Sequence, residues 1–146
     1  HDENAVSIHV RRGDYLEPKY WKTTGCVCQL PYYLNAIAEM NKRISQPSYY
    51  VFSDDIAWVK ENLPLPKAFF IDWNKGTESW QDMMLMSRCR HHIICNSTFS
   101  WWGAWLTPRE NKTVIMPERW FRHCETPDIC PDKWIKVPIN QPDSIQ

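Results

Sequence analysis

Short strand-like runs alternating with amphipathic helical patterns restrict the fold of this chain more than any other feature. Residues 5–11, Ala-Val-Ser-Ile-His-Val-Arg, alternate apolar and polar side chains, the period of a strand. Gly13-Asp14 ends that run, and residues 15–29 are irregular, aromatic and basic, the pattern of a long loop. From there Leu30, Tyr33, Leu34, Ile37 and Ala38 mark one helix face. Pro31 suits that helix's first turn, and Gln46-Pro47-Ser48 breaks it. Further strand-like runs cover Tyr49–Phe52, Lys67–Ile71, His92–Cys95 and Thr113–Met116. Between them, Ser53-Asp54-Asp55 can cap a helix over about residues 56–63. Asn74-Lys75-Gly76 reads as a turn, and Ser79-x-x-Asp82 ahead of Met83-Met84-Leu85-Met86 has the form of a capping box. Phe99–Leu106 supplies another helix. Such an order builds a parallel sheet wrapped by right-handed crossovers. The expected fold is therefore α/β, a Rossmann-like parallel sheet flanked by helices over residues 1–121. Pro127, Pro131, Pro138 and Pro142 make residues 122–146 an extended tail.

Charge narrows the function classes. Lysine plus arginine number 17 and aspartate plus glutamate 17, so no global field draws in nucleic acid or an anionic membrane. Anion binding has to come from a local cluster. No apolar run approaches the roughly 20 residues that span a bilayer. The start, "HDENAVSIHV", lacks the basic and apolar regions of a signal peptide and reads as the interior of a longer protein. The 6 cysteines accompany a good core pattern, so reduced thiols fit better than a disulfide framework. A zinc site from Cys26, Cys28, Cys124 and Cys130, with His123 nearby, is the weaker alternative. Its C-x-C spacing departs from the usual C-x-x-C knuckle.

In open parallel sheets, ligands bind outside the carboxyl ends of the strands. The loops expected to converge there are "HVRRGDY", "FSDD", "DWNKG" and "NSTFSWWG". The last runs from a strand end into a helix start, where free amides and the helix dipole favour a negative group. Ser97, Thr98 and Ser100 add hydroxyls, which suits a phosphate. A plainer reading has Ser97 or Thr98 simply capping the helix. In the first loop, His9 and Arg11 share one face of the strand while Arg12 takes the other. An arginine fork grips phosphate oxygens in a bidentate manner. The alternative is an Arg11–Asp14 salt bridge. Two adjacent arginines opposite a Ser/Thr-rich helix start favour the phosphate.

"HVRRGDY", "FSDD" and "NSTFSWWGAWL", in this order, resemble the alpha-1,2-fucosyltransferases of glycosyltransferase family 11, the bacterial members especially. The likeness runs from about Val6 to Phe121. It implies the nucleotide-sugar-binding half of a GT-B-like enzyme, transferring L-fucose from GDP-β-L-fucose to a galactoside hydroxyl in alpha-1,2 linkage with inversion. In that half His9 would lie near the nucleotide, with Arg11 on the β-phosphate and Asp14 holding the arginines or the loop. Arg12 and Asp54 would be further donor contacts. Asp82 would read guanine, and Ser97, Thr98, Phe99 and Ser100 would meet the diphosphate. The catalytic candidates are Arg11 and Asp14, with Glu17 a lesser candidate for general base. Asp54-Asp55 reads as a helix cap and nucleoside contact, not as a carboxylate pair for a metal, so neither metal nor cofactor is expected. A galactose-terminated glycan is the implied acceptor. The family's length implies a first, acceptor-side domain ahead of this chain. The resemblance places the protein in the bacterial cytoplasm, compatible with peripheral association at the inner membrane. A non-catalytic nucleotide-sugar-binding fragment, and a redox or zinc-binding interaction domain, are the rival readings.

Overall fold

The computed structural model describes residues 2–21, 24, 27–72, 76–121 and 124–139. In chain order the elements are β1 (Ala5–Val10), α1 (Pro18–Tyr20), α2 (Leu30–Arg43), β2 (Ser48–Ser53), α3 (Ile56–Asn62), β3 (Ala68–Ile71), α4 (Trp80–Arg88), β4 (His91–Ile93), α5 (Thr98–Trp105), β5 (Val114–Pro117) and β6 (Ile135–Val137). The six strands form one sheet in the order β3-β2-β1-β4-β5-β6, with every neighbouring pair parallel. The chain winds outward from β1 to β3, returns to lie beside β1 as β4, and winds outward the other way. The gap between β1 and β4 is thus the switch point where open α/β sheets hold ligands.

The period of two along each strand assigns the two faces. Val6, Ile8 and Val10 of β1 and Tyr49 and Val51 of β2 join one core with Tyr32, Tyr33, Ala36, Ile37 and Met40 of α2 and Val59 of α3. On the other face Phe52 and Ile71 pack with Met86 of α4, while Val114 and Met116 pack with Ala104 of α5. His9 therefore lies on the α4/α5 face. Two buried tyrosines fix the strand ends at the switch point. The Tyr32 hydroxyl donates to the Ile94 carbonyl, and that of Tyr33 to the His9 carbonyl at 3.2 Å.

Three sequence expectations shift. The buried face of α2 is Tyr32, Tyr33, Ala36, Ile37 and Met40, whereas Leu34 and Ala38 are exposed. Tyr32, which that stripe left out, can be buried because its hydroxyl donates to the Ile94 carbonyl. The capping box at Ser79 does not form: Ser79 is helical and makes no side-chain cap, while its carbonyl accepts from the Asp82 amide at 3.0 Å. The proline-bearing segment after Phe121 supplies β6, which pairs with β5 as the sheet's edge. Asn74 and Lys75 of the expected turn lie outside the described residues.

Candidate nucleotide-sugar site

A cleft of about 520 Å³ opens at the carboxyl ends of β1, β2 and β3, closed from the other side by the starts of α4 and α5. Its polar lining is His9, Ser53, Asp54, Asp72, Ser79 and Asp82, and its apolar lining includes Phe52, Ile71, Met86 and Phe99. Of the residues singled out in the sequence, it gathers His9, Asp54, Asp82 and Phe99. The volume suits a nucleoside-sized ligand. Among the described residues the lining holds three carboxylates and no lysine or arginine, a set that favours a neutral group rich in hydrogen-bond donors over a phosphate.

The candidate anion-binding groups belong to the adjoining loops. Arg11 donates from Nε to Asp14 Oδ1 at 3.1 Å and from Nη2 to Asp14 Oδ2 at 2.7 Å, and its guanidinium lies 4.4 Å from the centroid of the Tyr15 ring. This is the salt bridge weighed above, yet it leaves the arginine usable. An arginine has about five N–H donors, and Asp14 takes two of them. Side-chain exposure of 37% keeps the rest accessible. The pair and the ring fix the fork's direction. Tyr15 in turn donates to the Asn96 carbonyl at 3.0 Å, tying this loop to the entrance of α5. Bonding to Arg11 holds the Asp14 carboxyl below its ordinary range, chiefly through the hydrogen bonds and further through charge. That weakens it as a base.

Arg12 takes the opposite side, as the alternation requires. Its guanidinium lies 4.1 Å from the Trp58 ring centroid, and Nε donates to Asp55 at 3.3 Å. Asp55 caps α3 by accepting from the Trp58 amide at 3.1 Å. Asp54 is committed as well: its two oxygens accept from the amides of Arg12 at 2.9 Å and Gly13 at 2.7 Å. A β-carbon on Gly13 would fall 2.6 Å from Asp54 Oδ2, so a larger residue there would displace the carboxylate from the two amides it holds. Asp54 thus braces the arginine loop with both oxygens.

At the α5 entrance, Ser97 sits in extended backbone and makes no side-chain cap. Its hydroxyl is buried and has no hydrogen-bond partner among the described residues. The plainer capping role is therefore not what the structure shows. Thr98 is exposed at the first helical position, where backbone amides lack carbonyl partners. Ser100 is buried, and its hydroxyl donates back to the Ser97 carbonyl at 3.3 Å. It shapes the turn from within. Asn96 was not singled out from sequence. Its Nδ2 donates to the carbonyls of Thr24 at 2.9 Å and Trp120 at 3.1 Å, joining three loops.

His9 forms the wall between the cleft and this turn. Its ring centroid is 5.8 Å from that of Phe99, and Nδ1 is 3.3 Å from Cys95 Sγ. Burial, with a smaller contribution from the Arg11 cation, pushes its pKa down to about 4. Burial also pushes the Cys95 thiol up to about 11. Both groups are neutral near pH 7. Glu17 is exposed and pairs with Lys19 at 3.4 Å. Cys28, Cys89, Cys95, Cys124 and Cys130 are free thiols. Among the described residues, no group of three or more His, Cys, Asp or Glu is placed to hold a metal ion. Cys26 and His123 of the zinc reading lie outside them. No helix of the described residues is long and apolar enough to cross a membrane.

A parallel sheet in this strand order, flanked by helices and carrying an acidic cleft and an oriented arginine at its carboxyl edge, defines a Rossmann-like α/β domain. The sequence comparisons carry this one step further. The model of glycosyl transferase family 11 matches residues 1–137, and the chain belongs to that family. It is similar to the alpha-1,2-colitosyltransferase of Escherichia coli, 38% identical over 138 residues, which cover 92% of this chain and 48% of the relative. The O-antigen biosynthesis glycosyltransferase WbnK of Escherichia coli is 36% identical over 135 residues, covering 92% of this chain and 45% of the relative. A galactoside alpha-(1,2)-fucosyltransferase of Saimiri sciureus is 35% identical over 105 residues, 69% of this chain and 28% of that protein. The chain spans about half the length of the first two relatives.

Proposed function

We propose that this chain is the donor-binding half of an inverting glycosyltransferase that moves L-fucose from GDP-β-L-fucose to a galactoside hydroxyl in alpha-1,2 linkage. The observation that carries the reading is the adjacency of two unlike surfaces at the switch point. One is a cleft lined by carboxylates. The other is a guanidinium fixed by Asp14 and Tyr15, in a loop that Tyr15 ties to the Asn96 carbonyl ahead of α5. A guanosine diphosphate has the matching polarity, donors at its base and ribose and negative charge at its phosphates. In this reading Asp82 accepts from guanine N1–H and N2–H₂, and His9 and Phe99 wall the nucleoside. The diphosphate lies outside the cleft, against Arg11, the exposed Thr98 hydroxyl and the first amides of α5.

Charge builds on the β-phosphate as the fucosyl bond breaks, so a guanidinium fixed there acts most strongly in the transition state. Asp14 keeps Arg11 aimed. Because its carboxyl is held down, the acceptor's proton goes to the leaving diphosphate or to a group on the acceptor side. Arginine and helix amides neutralise the phosphates, so transfer runs without a divalent metal. The relatives' names include colitose as well as fucose, which leaves the donor's sugar as the variable that assay decides. The first two relatives are about twice as long as this chain, which favours a second, narrower reading: donor binding without turnover by these residues alone.

The test is incubation of GDP-fucose with a galactoside, using both this chain and the family-length gene product, followed by product NMR. An alpha-1,2-fucosylated product that persists in EDTA supports the proposal. GDP-fucose bound by this chain without GDP release supports the narrower reading. Activity restored only by manganese would overturn the metal-free assignment.

A further inference from the structure

We propose that Asp72 selects a ribonucleotide, its carboxylate accepting hydrogen bonds from the 2′- and 3′-hydroxyls of the donor's ribose. The inference rests on the nucleoside occupying the acidic cleft, and it deepens that reading. Three carboxylates line the cleft, Asp54, Asp72 and Asp82. Ionised carboxylates accept hydrogen bonds and cannot donate them, so each calls for donors on the ligand unless the protein supplies them. Asp54 already accepts from the Arg12 and Gly13 amides at 2.9 and 2.7 Å. In doubly wound sheets an acid at this edge commonly holds the ribose, but here the acid after β2 is spent on the arginine loop. Ser53 is engaged too, its hydroxyl accepting from the Asp55 amide at 2.9 Å.

Asp72 stands differently. It is the first residue past β3, exposed, and its carboxylate makes no hydrogen bond or ion pair among the described residues. β3 pairs with β2 in the register Phe52–Ile71, which sets Asp72 beside Ser53 at the sheet's edge. From β1 to β3 is two strand spacings, roughly 10 Å. A ligand with its diphosphate at β1 and β4 therefore carries its nucleoside past β2 toward Asp72. The base and the ribose diol are the donor-bearing groups that remain. With Asp82 on the base, the diol falls to Asp72.

Calorimetric titration of wild type and Asp72→Ala with GDP, 2′-deoxy-GDP, 3′-deoxy-GDP and IDP tests this. The side chain is exposed and has no partner among the described residues, so the variant is expected to keep its melting temperature. Wild type should bind GDP about tenfold or more tightly than either deoxy analogue, and Asp72→Ala should erase that preference. The variant should keep its preference for GDP over IDP, which lacks the 2-amino group. Asp72→Ala binding GDP with the wild-type preference over both deoxy analogues would overturn the proposal. So would loss of the GDP-over-IDP preference in its place, because that puts Asp72 on the base. No binding of GDP by wild type would overturn the site reading itself, a result distinct from either.

Discussion

Arg11 and Arg12 are neighbours in sequence with different surroundings, and the difference forecasts their mutants. Arg11 is held by Asp14 and Tyr15 with part of its fork free, whereas Arg12 is clamped by Trp58 and Asp55 against α3. Lysine keeps the charge and loses the fork. Arg11→Lys should therefore lower fucosyl transfer by the family-length protein at least a hundredfold with the melting temperature within a few degrees. Arg12→Lys should lower the melting temperature and leave most of the transfer rate. The reverse ranking in a paired rate and melting assay would mean that the sides are misassigned. Asp82→Asn replaces one acceptor by a donor opposite guanine, so GDP affinity should fall by about 1–3 kcal/mol. Lowered stability with unchanged GDP affinity would make Asp82 a structural residue.

The packing of α4 against α5 sets the back of the cleft. A β-carbon on Gly103 would lie 3.0 Å from Met86 Cβ and 3.1 Å from its sulfur, so glycine is what lets the two helices approach. Met86 also lines the cleft. Gly103→Ala gains up to about 1 kcal/mol of helix propensity and loses about 1–3 kcal/mol to overpacking. A net drop in melting temperature with weaker GDP binding is the expected result; a more stable variant with full affinity would contradict it. Beneath this layer His92 of β4 is buried between the hydroxyls of Ser7 at 2.7 Å and Thr107 at 2.8 Å. Burial, then the Lys112 cation, push its pKa down from 6.5 to about 3. As pH falls through 6.5 the unfolded chain takes up a proton that the folded one refuses until about pH 3. Stability should therefore drop across that window, by up to roughly 1.4 kcal/mol per pH unit. His9 adds the same sign between 6.5 and about 4. Denaturant titrations at several pH values check this, and His92→Gln should flatten the slope whatever its stability at pH 7.

How far the sequence carried the architecture follows from which signals are local. The strand and helix periods are local, and they placed β1 to β5 and the four longer helices to within a few residues. The order "HVRRGDY", "FSDD", "DWNKG", "NSTFSWWG" put their described members His9, Asp54, Asp72 and Phe99 at one edge, where they line one cleft. Partnerships across the fold were not legible. Nothing near Asp54 says that both its oxygens turn to the arginine loop, and nothing near Ser100 says that its hydroxyl turns inward. Asp72 lay within a loop already placed at the edge, but that it has no partner among the described residues shows only in three dimensions. β6 was hidden because Ile135–Val137 is too short and too close to prolines to stand out, and its pairing with β5 decides its state. The central claim is that these strands and loops build a guanosine diphosphate site. Calorimetry of the 146-residue chain with GDP, ADP and UDP tests it most directly. Saturable binding of one GDP per chain, at least tenfold tighter than ADP or UDP, is expected; no heat with GDP, or equal affinity for all three, would refute it.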